Sequence, residues 1–167
     1  MTTTNKLLCF CMVIIASSFF YSCGWKFKPI NQTMPFKNIF ITGANNGVGK
    51  EIVQRLKSIS NPLNFVSSLT EADVVMRLNV KTERVVVGFS GAGRPRELEI
   101  RTTVIVEIND KEEKPLQPMD ELKIFRAVTF NDTDVLATQA HEEFHIKDIN
   151  KQLAIRVIQK LQDVELR

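Results

Sequence analysis

The sequence predicts an α+β protein, a two-layer sandwich in which a four-stranded mixed sheet carries two helices on one face. Two observations lead to this prediction. Three long segments in the middle of the chain alternate apolar and polar residues, which is the period of half-buried strands. Two other segments repeat apolar residues every three or four positions, which is the period of an amphipathic helix. The predicted order is strand, helix, three-strand meander, helix.

The first strand and the first helix follow each other closely. Residues 36–42 (Phe-Lys-Asn-Ile-Phe-Ile-Thr) are rich in β-formers and predict a strand. Residues 43–49 form a glycine-rich turn. Helical spacing then spans about residues 47–58, and Asn61-Pro62 ends it. The apolar positions of this helix are Val48, Ile52, Val53, Leu56 and Ile59.

The meander consists of strands at about residues 72–89, 96–109 and 119–130. The second strand alternates most cleanly, with its even-numbered residues from 98 to 108 on one face. A short glycine turn at residues 90–93 and a polar loop at residues 109–118 join the three strands. Because such hairpin connections join antiparallel neighbours, we expect an antiparallel meander.

The last element is a helix of about thirty residues. Asp132 or Asp134 can cap its start by accepting hydrogen bonds from free backbone N–H groups. Charged residues such as Lys147 and Lys151 lie off the apolar stripe, as on a solvated face. We assign to the stripe Leu136, Ala140, Phe144, Ile149, Leu153, Val157, Leu161 and Val164.

Residues 1–22 have the character of a signal peptide. Lys6 is their single charged side chain, and an apolar run follows it up to Tyr21. The small residue Ser22 then precedes Cys23, and no stop-transfer pattern follows that would favour a retained membrane helix. We therefore predict cleavage after residue 22 and one domain over residues 23–167.

Cys23 is the predicted site of lipidation. Phe20-Tyr21-Ser22-Cys23 resembles a lipobox, whose cysteine becomes the first mature residue and takes acyl chains. Several acyl chains hold a protein on a bilayer almost permanently. The other two cysteines, Cys9 and Cys11, lie in the leader, which leaves the mature chain without a disulfide framework or a cysteine zinc site.

The charge balance argues against a nucleic-acid-binding protein. The chain has 22 Lys and Arg against 19 Asp and Glu, a net charge of +3. Proteins that bind nucleic acid through bulk charge are far more basic.

One motif suggests a nicotinamide-dependent enzyme. Residues 42–49 (Thr-Gly-Ala-Asn-Asn-Gly-Val-Gly) resemble the nucleotide loop of short-chain dehydrogenases, between a strand and a helix. Those enzymes need a Tyr-x-x-x-Lys pair, yet the single tyrosine here is Tyr21, in the leader. The alternative is a plain strand-to-helix turn that uses glycine for its backbone freedom.

A second motif suggests a zinc-dependent hydrolase. His141-Glu142-x-x-His145 places two imidazoles one helical turn apart, with Glu142 as a general base. A third ligand is required, and Glu165 is the one glutamate downstream of the motif region. The alternative is a pair of surface histidines beside Phe144, and we expect no catalytic residue, no metal and no cofactor.

Taken together, the mature chain resembles the LptE family of outer-membrane lipoproteins. The order and spacing of four segments carry the resemblance. They are Cys23-Gly24-Trp25-Lys26-Phe27 at the start, residues 93–100 (Gly-Arg-Pro-Arg-Glu-Leu-Glu-Ile) at the central hairpin, Lys123-Ile124-Phe125-Arg126 in a later strand, and a terminal helix with Leu136-Ala137, Glu142-Glu143 and Ile146-Lys147-Asp148-Ile149.

The resemblance implies a non-enzymatic role at the periplasmic face of the outer membrane. A member of this family plugs the barrel protein LptD, helps it to fold and binds lipopolysaccharide. Basic residues near the hairpin and the sheet edge contact lipopolysaccharide in the family. The corresponding candidates here are Arg94, Arg96, Arg101 and Arg126, because guanidinium groups suit the phosphates of lipid A.

Overall fold

The computed structural model of the chain describes residues 34–45, 47–59, 63–129 and 135–165. The predicted signal peptide, Cys23 and the proposed helix caps Asp132 and Asp134 lie outside these described residues. The elements are strand β1 (Asn38–Thr42), helix α1 (Val48–Lys57), strand β2 (Asn64–Phe65), a 3-10 turn (Leu69–Glu71), strands β3 (Val74–Phe89), β4 (Pro95–Asn109) and β5 (Asp120–Thr129), and helix α2 (Val135–Gln162).

The strands form one mixed sheet in the order β2-β1-β3-β4-β5. β1 pairs in parallel with both β2 and β3, whereas β3, β4 and β5 pair antiparallel. The α+β class, the mixed sheet and the antiparallel meander are therefore confirmed. The predicted number of four strands is wrong, because the sheet has five.

The strand that the sequence did not predict is β2. It has two residues, too few to show an alternation of apolar and polar side chains. Its position is fixed by two backbone hydrogen bonds to β1, from Asn64 N–H to Lys37 O at 2.8 Å and from Val66 N–H to Ile39 O at 3.0 Å. After α1, the chain thus forms the short edge strand β2 beside β1 and then crosses to β3 on the other side of β1.

One face of the sheet packs against both helices and forms the core. The even-numbered residues of β4 from 100 to 108 are buried there, as their alternation predicts. α1 buries Val48, Ile52 and Leu56 against them, and the second half of α2 buries Ile149 and Leu153. The two-layer arrangement with both helices on one face follows from this single core cluster. Within the described residues, no helix is long and apolar enough to cross a membrane.

The predicted apolar stripe is right for the second half of α2 and wrong at Ala140 and Phe144. Phe144 is 65% exposed and Ala140 is exposed, whereas Glu142 is buried. Glu142 is seven residues before Ile149, which is nearly two full helical turns, so the two side chains lie on the same face. Phe144 is five residues before Ile149, and its side chain is turned away from that face by about 140°. The first half of α2 therefore presents polar side chains to the sheet.

Candidate interaction surface at the hairpin tip

The long β3–β4 hairpin extends beyond the core. Sixteen residues of β3 span about 50 Å at the usual rise of a strand. The first residues of β3, including Val74 and Met76, are fully buried, but the exposed fraction of Val86 is 38%, of Val87 44% and of Phe89 65%. We call residues 86–96 the hairpin tip, and its apolar side chains face solvent.

Backbone and hydroxyl hydrogen bonds shape the turn of the hairpin tip. Ser90 N–H donates to Arg94 O at 2.7 Å, and Gly93 N–H donates to Ser90 O at 2.9 Å. The Ser90 hydroxyl oxygen accepts from Arg94 N–H at 3.1 Å. Register shifts on either side of Gly88 mark a bulge, which increases local twist and re-aims side chains. The tip is thus an ordered turn on a bent ribbon.

The hairpin tip combines exposed apolar and basic side chains. Val86, Val87 and Phe89 lie on β3, and the exposed Arg94 and Arg96 lie on the turn and the start of β4. Such a surface suits an amphiphile that carries both hydrocarbon and phosphate, since apolar contact and charge-assisted hydrogen bonds act side by side. This is the strongest candidate for a binding surface on the described part of the chain.

The structure does not bring all four predicted arginines together. Arg94 and Arg96 share the hairpin tip, but Arg101 and Arg126 lie farther along the sheet on opposite faces. Arg101 forms an ion pair with Glu99 on its own strand. Arg126 lies on the helix side and forms an ion pair with Asp148 of α2, with 3.3 Å between nitrogen and oxygen.

The face of the sheet away from the helices carries mixed charge. It displays the odd-numbered residues of β4, and neither helix packs against it. Lys81 forms an ion pair with Glu83 at 2.8 Å on this face. The hydrogen bond and the charge of each partner raise the pKa of Lys81 and lower the pKa of Glu83. Phe125 is an exposed apolar residue among these polar side chains.

Comparison with known proteins gives the family. Residues 36–161 match the family model described as LptE, lipopolysaccharide-assembly. This match covers most of the chain. The chain belongs to the LptE family. Its role in lipopolysaccharide assembly follows from that membership, and no curated protein matches the sequence significantly.

Solved structures with the same fold include three bacterial lipoproteins. An uncharacterised lipoprotein B from Nitrosomonas europaea is 22% identical, with a TM-score of 0.69 over 83% of this chain and 90% of that one. The rare lipoprotein B from Shewanella oneidensis is 18% identical, with a TM-score of 0.61 over 75% and 93%. A minor lipoprotein from Acinetobacter baumannii is 14% identical, with a TM-score of 0.58 over 78% and 94%.

In this LptE-family chain, the zinc motif does not form a hydrolase site. Glu142 points toward the sheet and forms an ion pair with Arg84 at 2.9 Å, so its carboxylate is not available as a base beside the histidines. Glu165 is about 30 Å farther along the direction of α2 and cannot supply a third ligand. Among the residues described, no group of three His, Cys, Asp or Glu side chains could hold a metal ion.

The glycines of the suspected nucleotide loop have a packing role. Gly43 has φ +77°, and a Cβ there would lie 1.9 Å from the carbonyl oxygen of Leu78. A Cβ on Gly49 would lie 2.4 Å from the Cα of Ala44. Close approach of backbone to backbone thus accounts for these glycines, and the comparisons give no support to a dehydrogenase.

An open cleft of about 690 Å³ lies at the end of the sheet opposite the hairpin tip. Its acidic residues hold the surrounding loops. Asp73 accepts hydrogen bonds from Lys37 N–H and Asn38 N–H, and Asp110 accepts from Lys114 N–H. Asp73 and Asp110 therefore have a structural role at this cleft.

The apolar side chains of the hairpin tip are not among the predicted site residues. The prediction includes Arg94 and Arg96 but not Val86, Val87 and Phe89. A signal was present, because three consecutive valines at residues 85–87 break the alternation of β3. A run of that kind near the end of a strand indicates apolar residues on both faces, at least one of which faces solvent.

Proposed function

We propose that this chain is a non-enzymatic outer-membrane lipoprotein that forms a complex with the barrel protein LptD, binds lipopolysaccharide and helps to deliver it to the cell surface. Residues 1–22 are removed as a signal peptide, and residues 23–167 form one domain on the periplasmic side. The match of residues 36–161 to the LptE family is the observation that carries the proposal.

Lipopolysaccharide binds at the hairpin tip in this proposal. Arg94 and Arg96 pair with phosphates of lipid A, because a guanidinium makes two parallel charge-assisted hydrogen bonds to such a group. Val86, Val87 and Phe89 contact the neighbouring acyl chains. Arg101 and Arg126 are weaker candidates, since both lie away from the exposed apolar side chains of the hairpin tip.

The open face of the sheet suits a partner with a polar interior. Outer-membrane barrels are polar inside, and mixed charges such as Lys81 and Glu83 can pair with either sign of partner group. Apolar residues there, such as Phe125, supply local contact area. We propose this face as the surface that enters the LptD lumen.

Anchoring through acylated Cys23 is consistent with the direction of the hairpin. Residue 34 precedes β1, whose Ile39 pairs with Val74 at the start of β3, far from the tip. The described part of the chain thus begins at the end of the sheet opposite the hairpin tip.

Lipopolysaccharide binding by matched double variants tests the proposed surface. Arg94→Ala with Arg96→Ala removes two charges from the hairpin tip, and Lys111→Ala with Lys114→Ala removes the same charge from exposed residues at the opposite end. We expect the arginine variant to lose about tenfold or more in affinity for purified lipopolysaccharide, because charge-assisted hydrogen bonds are lost. The lysine variant should bind like wild type.

Two results would contradict the proposed binding surface. An equal loss of affinity in both double variants would mean that binding of lipopolysaccharide depends on the net charge of the chain alone. Unchanged binding in the arginine variant would place the ligand elsewhere on the chain.

A further inference from the structure

Both histidines of the chain lie on the outer side of α2. His141 and His145 are one turn apart, with 4.8 Å between their ring centroids and 41° between their planes. His141 is exposed and His145 is half-buried. Residues four apart on a helix are side-by-side neighbours, so both imidazoles are held next to each other by the helix itself.

The surroundings of the pair are open to solvent on one side and closed on the other. Phe144, which is mostly exposed, lies with its ring edge toward His145 at 5.7 Å between centroids. Glu142 is turned about 100° around the helix from His141 and about 60° from His145, and Arg84 of the sheet binds its carboxylate. The Glu142 carboxylate is therefore engaged by Arg84, while His141 faces water and His145 is half-buried beside it.

Two adjacent imidazoles on a helix can chelate a late transition-metal ion. Each nitrogen lies about 2.0–2.1 Å from such a metal, which places the two nitrogens about 3.3 Å apart in tetrahedral geometry. Rings whose centroids are 4.8 Å apart reach this separation by side-chain rotation. Imidazole ligands favour copper, nickel and zinc over calcium and magnesium.

We propose that His141 and His145 form a two-ligand site for one divalent ion of nickel, copper or zinc. Water fills the remaining coordination positions, because the described residues supply no third protein ligand. The site is not hydrolytic, since Glu142 is held by Arg84. It revises our expectation of a chain without metal, and it does not rest on the proposed role in lipopolysaccharide assembly.

Isothermal titration of the full-length, detergent-solubilised protein with nickel chloride tests this site. The purification tag must contain no histidine. We expect one equivalent of nickel per wild-type chain. His141→Ala and His145→Ala should each lower the affinity about 100-fold, because the second nitrogen then no longer binds at high effective concentration. Glu143→Ala, an exposed neighbour on the same helix, should leave binding unchanged.

Circular dichroism of each variant shows whether the fold is retained. We expect it to be retained, because none of the three substituted side chains is fully buried. Absence of nickel binding to the wild type overturns the proposal. Binding that survives both histidine substitutions also overturns it, because the metal must then lie on cysteine or carboxylate groups elsewhere in the chain. Calcium chloride serves as the negative control.

Discussion

Glu142 is a buried charge on the side of α2 that turns toward the sheet. Its side chain is 11% exposed and its partner Arg84 is 63% exposed. A buried carboxylate is unfavourable unless it is paired, so this contact holds the first half of α2 against the polar part of β3. On the same half of the helix, Phe144 and His141 are exposed to solvent.

The two partners of this ion pair should respond unequally to substitution. Arg84→Ala leaves a buried carboxylate without its partner, and we expect the free energy of unfolding to fall by about 1–2 kcal/mol. Glu142→Leu leaves an arginine that water can solvate, and the change should stay within about 0.5 kcal/mol or be stabilising. Urea unfolding followed by circular dichroism measures both, and equal destabilisation would contradict the asymmetry.

Asp120 and Lys160 give a pH-dependent contribution to stability. The nitrogen of Lys160 lies 2.5 Å from the Asp120 carboxylate, and this hydrogen bond lowers the pKa of Asp120 from its ordinary value of 3.8. Because the carboxyl pKa is lower in the folded protein, the ion pair stabilises the fold at pH values above the pKa of the unfolded chain. This stabilisation is lost as the pH falls through the pKa of the folded protein. The pair joins β5 to α2 near the end of the helix.

Replacement of the carboxylate isolates that contribution. We expect Asp120→Asn to reduce the free energy of unfolding by about 0.5 kcal/mol at pH 7, because the pair is partly exposed. The difference from wild type should shrink as the pH falls below 3.8 and vanish once the wild-type carboxyl, whose pKa is lowered in the folded protein, has taken up its proton. A difference that is the same at pH 3 and pH 7 would show that the ion pair is not its source.

The elements that were predicted well are those whose pattern is local. The strands of the meander agree with prediction to within two residues at each end, because an alternation over ten or more residues identifies both the strand and its ends. β2 was not predicted, because it depends on pairing with β1 and not on a local pattern. The first half of α2 was predicted as a helix, but its buried face was predicted wrongly. The step of five residues from Phe144 to Ile149 breaks the helical spacing, and Glu142 is the residue that turns toward the sheet and pairs with Arg84.

The turn between β1 and α1 provides a test at the scale of these elements. Gly43→Ala would place a Cβ against the Leu78 carbonyl at a positive φ, and we expect a loss of at least about 3 kcal/mol. Gly91→Ala is the matched control, because nothing lies within 4 Å of the added atom, and its effect should stay within about 0.5 kcal/mol. Thermal unfolding of both variants measures the difference, and similar melting temperatures would contradict the packing role of Gly43.

At the scale of the molecule, the fold separates three surfaces. One sheet face is closed by helices, the other carries mixed charge, and the hairpin tip projects beyond both. Sequence reasoning identified the basic residues of the tip because a family resemblance pointed to them. It could not show that Arg126 pairs with Asp148, since that ion pair depends on how α2 packs against β5.

Membrane attachment follows from the proposed processing of the leader. We expect mass spectrometry of the protein extracted from membranes to find Cys23 as the first residue, with the mass of acyl chains added. Cys23→Ala should be recovered with the leader attached and without the added mass. An unmodified Cys23 within an intact leader on the exported wild type would exclude a lipid anchor.

Co-purification of the full chain from detergent-extracted membranes of its source cell tests whether the chain forms a complex with LptD. We expect LptD to be recovered with the chain in a stoichiometric complex, since the mixed-charge sheet face is proposed to lie inside that barrel. Recovery of the chain alone, from extracts in which LptD is abundant and intact, would contradict it.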